Sequence, residues 1–375
     1  MKERATKFEL LRIIAMILIV SGHLASEGGV LESTNGINHS LTLAFSSGAR
    51  IAVNLFLMIG CWFMVDAKYS TKRIVKLYSE VWFYSVLITS IFLLIRVDNG
   101  ISTKEIIQSF FPFVFRTIWF ATIYIMLIIL SPFINKVFEF GEKKIRNLVI
   151  ILFGFVSGIS TISGFTDTFL CALVWFVFVY IFIGYYKKFL SVKWEGKNKV
   201  IFLLIGLLLY AMAISVRILV YYTNESHILS LFGKVIDNWI VDYKAIPNFL
   251  CALLIFLFFT NIKIKHSRCI NWVASSTFAV YIIHQVPAFR HVVWKEIYKS
   301  MTWNNSKMFI GYYFTTIISF FIVSIIIDKV RKRVLEVWWL NTKFIKKIVV
   351  LGDRAIIGED NIIIENGKNE MRKNE

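Results

Sequence analysis

The chain has 375 residues, of which 57% are hydrophobic, and its mean hydropathy is +0.66. This composition excludes an ordinary soluble domain and indicates a polytopic membrane protein. The formal net charge of +18 comes from short basic clusters between apolar segments, a pattern typical of topology-setting loops rather than of nucleic-acid binding. Four scattered cysteines without metal-ligand spacing predict neither a metal site nor a disulfide framework.

The apolar segments predict an all-α, polytopic membrane helix bundle of about ten transmembrane helices. Each segment is near the length of about 20 residues that a helix needs to cross the hydrocarbon core. The first segment lacks a small-residue cleavage site, so we expect it to be retained as a spanning helix. The predicted spans are residues 8–26, 47–66, 79–96, 117–135, 148–164, 168–186, 199–222, 246–262, 271–288 and 308–328.

Lysine and arginine are concentrated in alternate loops. Because cytoplasmic loops carry the excess of positive charge, this pattern predicts that both termini are cytoplasmic. Loop 289–307, on the opposite side, carries four basic residues and weakens the pattern. The predicted cytoplasmic clusters are Lys2/Arg4/Lys7, Lys68/Lys72/Arg73/Lys76, Lys136/Lys143/Lys144/Arg146, Lys187/Lys188/Lys193/Lys197/Lys199 and Lys263/Lys265/Arg268.

The C-terminal region differs from the spans before it. Residues 329–351 place apolar side chains at helical spacing with basic residues on the remaining surface, which predicts an interfacial helix on the anionic inner leaflet. From about Glu359 the sequence is polar, and we expect a mobile tail. The chain is therefore divided into a membrane domain, residues 1–328, and a cytoplasmic region, residues 329–375.

Arg12 and His23 lie eleven residues apart inside the first apolar span. Eleven residues at about 100° each bring the two side chains to within about 20° of one helix face, about 16 Å apart. Glu9 and Glu27 fall on the same face, three and four residues away. Since ionisable residues at membrane depth are costly, this polar face is the strongest functional candidate in the chain.

We interpret His23, Arg12 and Glu27 as catalytic candidates. Imidazole titrates near neutral pH, so His23 is suited to act as a general base that accepts a proton from a hydroxyl. Arg12 requires an anionic partner, and a phosphate or a polarised carbonyl would serve. The alternatives are a structural histidine satisfied by a neighbouring helix, and an arginine that snorkels to the inner surface.

Lys72, Arg73 and Lys76 form a basic cluster where the third span begins. Arg73 and Lys76 are three residues apart and therefore share a helix face, so these cations are candidates for holding the phosphates of a nucleotide-like donor. An ordinary cytoplasmic topology cluster is the alternative.

Three further residues are candidates for substrate binding. His284 lies at a similar depth to His23, and Pro287 loosens the helix beside it. Trp119 is suited to stacking on a sugar ring, and Arg217 to binding an anionic group. Helix-to-helix hydrogen bonding, an interfacial aromatic belt and snorkelling are the respective alternatives.

The first span resembles the opening motif of the acyltransferase 3 family, integral membrane O-acyltransferases that modify bacterial surface glycans. That motif is an acidic residue, two residues, Arg, ten residues and His, here Glu9, Arg12 and His23. Family members more often have Asp where Glu9 stands.

Softer matches extend the resemblance over roughly residues 5 to 330. An Arg-x-x-Arg motif of the family appears with lysine in its last position and without the proline that usually follows, and lysine lacks the planar fork that binds phosphate bidentately. The matching segments are Asn54 to Cys61, Arg73-Ile-Val-Lys76, Trp119-Phe120 and Tyr281-Ile-Ile-His284.

The resemblance implies a ten-span bundle with both ends cytoplasmic, in a bacterial plasma membrane. It implies acetyl-CoA, or another acyl-CoA, as a donor substrate rather than a permanently bound cofactor, and no metal. The implied acceptor is a hydroxyl of a capsular, exopolysaccharide or other cell-envelope glycan, free or lipid-linked, and no nucleic acid is a partner. The acyl group, the sugar and the oligomeric state stay open.

Two other functions compete with this interpretation. A flippase or transporter of a lipid-linked envelope glycan would also need Arg and His facing a cavity, although no internal repeat is evident that would indicate duplicated halves. A polysaccharide polymerase or membrane glycosyltransferase is expected to carry catalytic residues in a large outer loop, and the longest one here, about residues 223–245, is short.

Overall fold

The computed structural model describes residues 5–95, 102–163, 169–192, 199–223 and 242–358, without the side chains of 158–163 and 291. Every regular element within these ranges is helical, which confirms the all-α prediction. The helices are α1 Thr6–Ser26, α2 Val30–Ser33, α3 Gly36–Met64, α4 Thr71–Leu94, α5 Thr103–Phe110, α6 Trp119–Val137, α7 Glu142–Ser163, α8 Phe169–Tyr185, α9 Lys199–Thr223, α10 Ile246–Asn261, α11 Arg268–Ala274, α12 Thr277–Gln285, α13 Pro287–Val292, α14 Phe309–Arg331, α15 Val337–Leu340 and α16 Lys343–Ile357.

Seven helices of the described chain are long and apolar enough to cross a membrane. They are α1, α3, α4, α6, α8, α9 and α14, three of them counted with the helical turns that follow. Lipid hydrocarbon offers no hydrogen-bond partners to the backbone, and a helix satisfies its backbone N–H and C=O groups internally. The chain is therefore a multi-pass membrane protein, whereas the count of ten spans and the cytoplasmic termini stay predictions.

The three other predicted spans fall on helices outside this set of seven. Residues 148–164 fall largely on α7, and residues 246–262 on the 16-residue α10. The predicted span 271–288 is divided among α11, α12 and α13. The second break follows from Pro287, because the residue before a proline is disfavoured in the α conformation, and Val286 is indeed extended, with ψ 124°.

Helix α1 lies at the centre of the bundle, packed against α3, α10, α11, α12 and α14. Its closest neighbour is α3, and Gly22 permits the approach, since a Cβ atom there would lie 2.3 Å from Cβ of Ala49. Leu11, Ala15 and Val20 are completely buried on α1. A central helix with a polar face can present that face only to the interior of the bundle.

Contacts along α1 define two ends of the bundle. Arg12 lies over the ring of Phe63 late in α3, whereas Gly22 meets Ala49 in the middle of α3, so the two helices are antiparallel. The hydroxyl of Tyr313, at the start of α14, donates to the carbonyl of Ser21 at 2.7 Å. We call the end that holds the start of α4 the Arg73 end, and the opposite one the Arg116 end.

The C-terminal helices fold back onto the Arg73 end. Helix α14 continues past residue 328 through a π-helical turn into α15, so the predicted division at 328/329 falls within one continuous helical segment. The backbone N–H of Thr71 donates to Asp353 on α16 at 2.6 Å, and the Trp339 indole donates to Ser79 on α4 at 2.9 Å. The predicted tail from Glu359 lies outside the described residues.

Candidate active site

His23 forms a compact cluster with Glu27 and Gln285. Nδ1 of His23 lies 3.1 Å from Oε1 of Glu27, four residues later and just beyond the end of α1. The Gln285 side chain reaches from α12 and donates from Nε2 to both Glu27 oxygens, at 3.1 and 3.2 Å, while lying 3.0 Å from His23 Nδ1. We assign the proton to Nδ1, because the carboxylate can only accept; the Gln285 amide then donates to Glu27 and not to Nδ1.

This arrangement leaves Nε2 of His23 as the basic nitrogen. All side-chain hydrogen-bonding contacts of His23 within the described chain involve Nδ1. Burial raises the pKa of Glu27, but the hydrogen bond and charge of His23 outweigh it, so the pKa lies below its ordinary value. An ionised Glu27 both orients the His23 ring and stabilises the imidazolium that forms when Nε2 takes a proton.

His284 supports His23 from behind. Its ring centroid lies 5.0 Å from that of His23, and the side chain is completely buried. Nδ1 is 2.7 Å from the carbonyl oxygen of Val280 and must donate to it, which leaves Nε2 as an acceptor without a hydrogen-bond partner among the described residues. The rings of Trp294 and Phe320 pack around it.

Arg12 and Glu9 form an ion pair on the same face of α1. Nη1 of Arg12 donates to both carboxylate oxygens, at 2.9 and 3.1 Å. The Glu9 side chain is almost fully buried, at 4% exposure, while that of Arg12 keeps 24% exposure. Neutralisation by Glu9 makes a guanidinium tolerable at this depth, and the remaining nitrogens of Arg12 are available to a ligand.

A cavity of about 380 Å³, which we call the Arg73 cavity, opens beside the start of α4. Arg73, Lys76 and Arg12 all line it, together with Glu80 and Tyr124. Of the predicted donor-binding residues, the structure thus brings Arg73 and Lys76 to one wall with Arg12. Lys72, one residue earlier on the helix, is exposed and does not line this cavity.

Lys76 also has a protein partner. Its Nζ lies 2.6 Å from Oε1 of Glu336, in the turn after α14. Glu336 in turn pairs with Arg331 at 3.0 Å. A ligand anion that binds Lys76 therefore competes with Glu336, whereas Arg73 makes no ion pair with the described residues.

Two more cavities lie between the cationic wall and His23. The Arg12 cavity has a volume of about 200 Å³, and the His23 cavity about 30 Å³, room for only about two water molecules. The Arg73 and Arg12 cavities share Arg12, Gly60, Leu77, Tyr124 and Phe278. The Arg12 and His23 cavities share Phe56, Phe120 and Phe278.

A fourth cavity, the Arg116 cavity, approaches His23 from the other end. It measures about 410 Å³ and shares Trp119 with the His23 cavity. Trp119 stands at the start of α6, with its ring stacked on Tyr243 at a centroid distance of 5.6 Å. The four cavities therefore form a series in which neighbours share lining residues, and the His23 cavity is the smallest of the four.

Two predicted substrate residues do not line this series. His284 lies behind the wall that carries His23. Arg217 is on α9 and donates to the hydroxyls of Ser47 and Ser46 on α3, at 2.8 and 3.3 Å. In this arrangement Arg217 joins two helices rather than facing one of the four cavities.

Sequence reasoning missed two contributors to the site. Gln285 follows His284 in a segment that the sequence singled out, but an amide gives no signal by itself. Tyr124 lies five residues after Trp119 on α6, and it lines both the Arg73 and Arg12 cavities. Outside the site, it also missed the buried pair of Asp328 and Arg331, 2.8 Å apart, which straddles the boundary between the predicted span 308–328 and the predicted interfacial helix 329–351.

The geometry can support transfer between two ligands that meet at His23. Cations line one end of the series, a base oriented by a carboxylate stands in the middle, and an aromatic cavity forms the other end. No group of three or more His, Cys, Asp and Glu residues that could hold a metal ion occurs in the described ranges. The unpaired Nε2 of His23, with Nδ1 against Glu27, has the arrangement that a general base requires.

Comparison with known proteins identifies one family. A family model described as an acyltransferase domain matches residues 6–329, most of the chain and all of the spanning helices up to α14. Neither a curated protein nor a solved structure matches the sequence.

Proposed function

The chain belongs to the acyltransferase 3 family, and from that membership we propose that it is an O-acetyltransferase of the bacterial plasma membrane. It moves an acetyl group from acetyl-CoA to a hydroxyl of a capsular, exopolysaccharide or other cell-envelope glycan. Family membership shows a membrane acyltransferase. What we propose beyond it is acetyl-CoA as the donor, an envelope glycan as the acceptor and the bacterial plasma membrane as the location.

One observation carries the proposal: the cavities that join Arg73 and Arg12 to His23. A phosphate-bearing donor needs cations at its anchor and a base at its reacting end, separated by the length of a flexible arm. Arg12 and His23 are about 16 Å apart along α1, and the connecting cavities are lined mainly by apolar side chains. Such walls suit an extended, largely uncharged arm.

At the donor end, Arg73 and Lys76 hold the phosphates, with Lys72 adding positive charge nearby. Arginine binds phosphate oxygens bidentately, and charge-assisted hydrogen bonds are the stronger ones. Lys76 contributes after it leaves Glu336, from which it is 2.6 Å away in the free protein. With the termini cytoplasmic, as the charge pattern predicts, this end faces the cytoplasmic pool of acyl-CoA.

At the reacting end, His23 Nε2 removes the proton of the acceptor hydroxyl. The hydroxyl oxygen attacks the thioester carbonyl carbon, the carbon–sulfur bond breaks, and the proton held on His23 passes to the departing thiolate. Glu27, 3.1 Å from Nδ1, stabilises the intermediate imidazolium. The acceptor sugar enters past Trp119, and His284 holds the His23 ring in position.

The size of the His23 cavity favours transfer over transport. At about 30 Å³ it admits a hydroxyl and a carbonyl but not a sugar ring. A flippase would need a passage wide enough for its cargo, whereas an acyltransferase needs only that two reacting groups meet there.

The experiment is a comparison of envelope glycan from cells with and without the gene, by NMR for ester-linked acetyl signals. The proposal predicts that the deletion removes one set of these signals and that the restored gene returns it. An unchanged ester content, with glycan accumulating on the inner face, would instead favour the transporter.

A further inference from the structure

The Arg116 cavity has a volume in the range of small-molecule sites. It touches the His23 cavity through Trp119 and lies at the end of the bundle opposite to Arg73. The wall is formed by aromatic, aliphatic and one charged residue, namely Phe115, Arg116, Trp119, Ile123, Phe169, Ala172 and Tyr243.

The aromatic part of this wall is held rigidly. Asn54 is completely buried and donates from Nδ2 to the carbonyl oxygen of Tyr243 at 2.6 Å. The indole of Trp175, also completely buried, donates to Oδ1 of Asn54 at 3.0 Å. Tyr243 in turn stacks on Trp119. This buried polar network holds the backbone at Tyr243, and the ring of Tyr243 is placed against that of Trp119.

Arg116 is the cation of this wall. The residue is exposed, forms no ion pair within the described chain, and lies with its guanidinium carbon 5.2 Å from the ring centroid of Phe169. Its backbone is left-handed, with φ 54°, a conformation that is strained for a residue other than glycine. The chain thus keeps a large cationic side chain where glycine would fit the backbone better.

We propose that the Arg116 cavity binds the acceptor glycan and selects a sugar that carries a carboxylate, a uronic acid. The guanidinium binds the carboxylate through two parallel hydrogen bonds, and the aromatic wall contacts the apolar face of the ring. A neutral sugar gains only the second contribution. The acceptor role rests on the proposed function; the preference for an acidic sugar can be measured without it.

The test uses purified full-length protein and equilibrium binding of two probes. One is an oligosaccharide of alternating glucuronate and N-acetylglucosamine, and the other is the same oligosaccharide with its carboxylates reduced to alcohols. We expect the wild-type chain to bind the acidic probe about tenfold more tightly, and Arg116→Gln to remove that difference while leaving the neutral probe unaffected. Arg116→Lys should restore part of it.

Two further variants separate binding from structure. Arg116→Gly removes the cation and relieves the left-handed backbone, so it should lose the preference for the acidic probe without loss of thermal stability. Lys307→Gln removes an exposed cation next to the start of α14, at the same end of the bundle, and should change neither affinity.

Equal affinity of the wild-type chain for the two probes, or an undiminished preference in Arg116→Gln, would overturn the proposal. Release of CoA from acetyl-CoA is measured on the same preparations. An Arg116-dependent preference without any CoA release would leave this inference standing and contradict the proposed acetyl transfer. CoA release with equal affinity for the two probes would leave the proposed acetyl transfer standing and contradict this inference.

Discussion

Replacing Glu27 by glutamine is expected to slow acyl transfer while leaving donor binding nearly unchanged. The substitution keeps the shape of the side chain and an oxygen that can accept from His23 Nδ1–H and from Gln285. It removes the negative charge that stabilises the imidazolium in the transition state. Because the carboxylate lies 3.1 Å from His23 and does not line the Arg73 cavity, the affected quantity is kcat.

The magnitude follows from the geometry and exposure of the pair. Two full charges about 4 Å apart at an effective dielectric constant of about 20 interact by about 4 kcal/mol. The side chains of His23 and Glu27 are 26% and 18% exposed, so solvent screens part of that interaction. A loss of about 2 to 3 kcal/mol in the transition state corresponds to a decrease in kcat of about 30- to 150-fold.

The assay is the initial rate of CoA release by purified protein at varied acetyl-CoA and saturating glycan. We expect KM for acetyl-CoA to stay within about twofold of wild type. The matched control is Glu32→Gln, an exposed carboxylate on α2 that lines none of the four cavities. A Glu27→Gln rate equal to that of the control would refute the assignment of Glu27 as the partner of the general base.

Two other substitutions test the Arg73 end. Arg73→Ala should raise KM for acetyl-CoA about tenfold with kcat little changed, because it removes a charge-assisted phosphate contact. Lys72→Ala should raise KM less, because Lys72 does not line the Arg73 cavity. Equal increases in KM for the two variants, measured by CoA release, would contradict the role that we give to Arg73. Asp328→Asn should cost about 3 kcal/mol in free energy of unfolding, since it removes the buried charge that pairs with Arg331 at 2.8 Å and with Lys332 at 2.6 Å. Thermal denaturation in detergent measures this, and the exposed Glu139→Gln should shift it little.

Local geometry explains why part of the site was predictable. The pairs Arg12–Glu9 and His23–Glu27 are three and four residues apart, spacings that any helix brings into contact. The eleven-residue interval similarly placed Arg12 and His23 on one face. Periodicity of a single helix was sufficient for these contacts, with no knowledge of the neighbouring helices.

Contacts between distant segments could not be predicted in this way. Gln285 is 262 residues from His23, and its position depends on the packing of α12 against α1. The Lys76–Glu336 pair depends on α14 continuing past residue 328, where an interfacial helix was predicted. Such pairs are fixed by tertiary packing, and no local spacing signals them.

The spanning helices also include features that the sequence predicts and features that it does not. Seven were recognisable from length and apolar composition, because the thickness of a bilayer sets the length of a helix. The segment 271–288 is apolar enough to be taken for one span, yet Pro287 and the break after Ala274 divide it. The proline was visible in the sequence, whereas no residue of comparable effect marks the break after Ala274.

The central claim is that His23 is the base at which a donor and a glycan meet. The most direct measurement is glycan-dependent CoA release from acetyl-CoA by the purified wild-type protein and by His23→Ala, with donor binding measured on both. The account predicts release by the wild type only when glycan is present, and no release by the variant although it binds acetyl-CoA normally. Full CoA release by His23→Ala, or glycan movement across a membrane without any acyl donor, would contradict it.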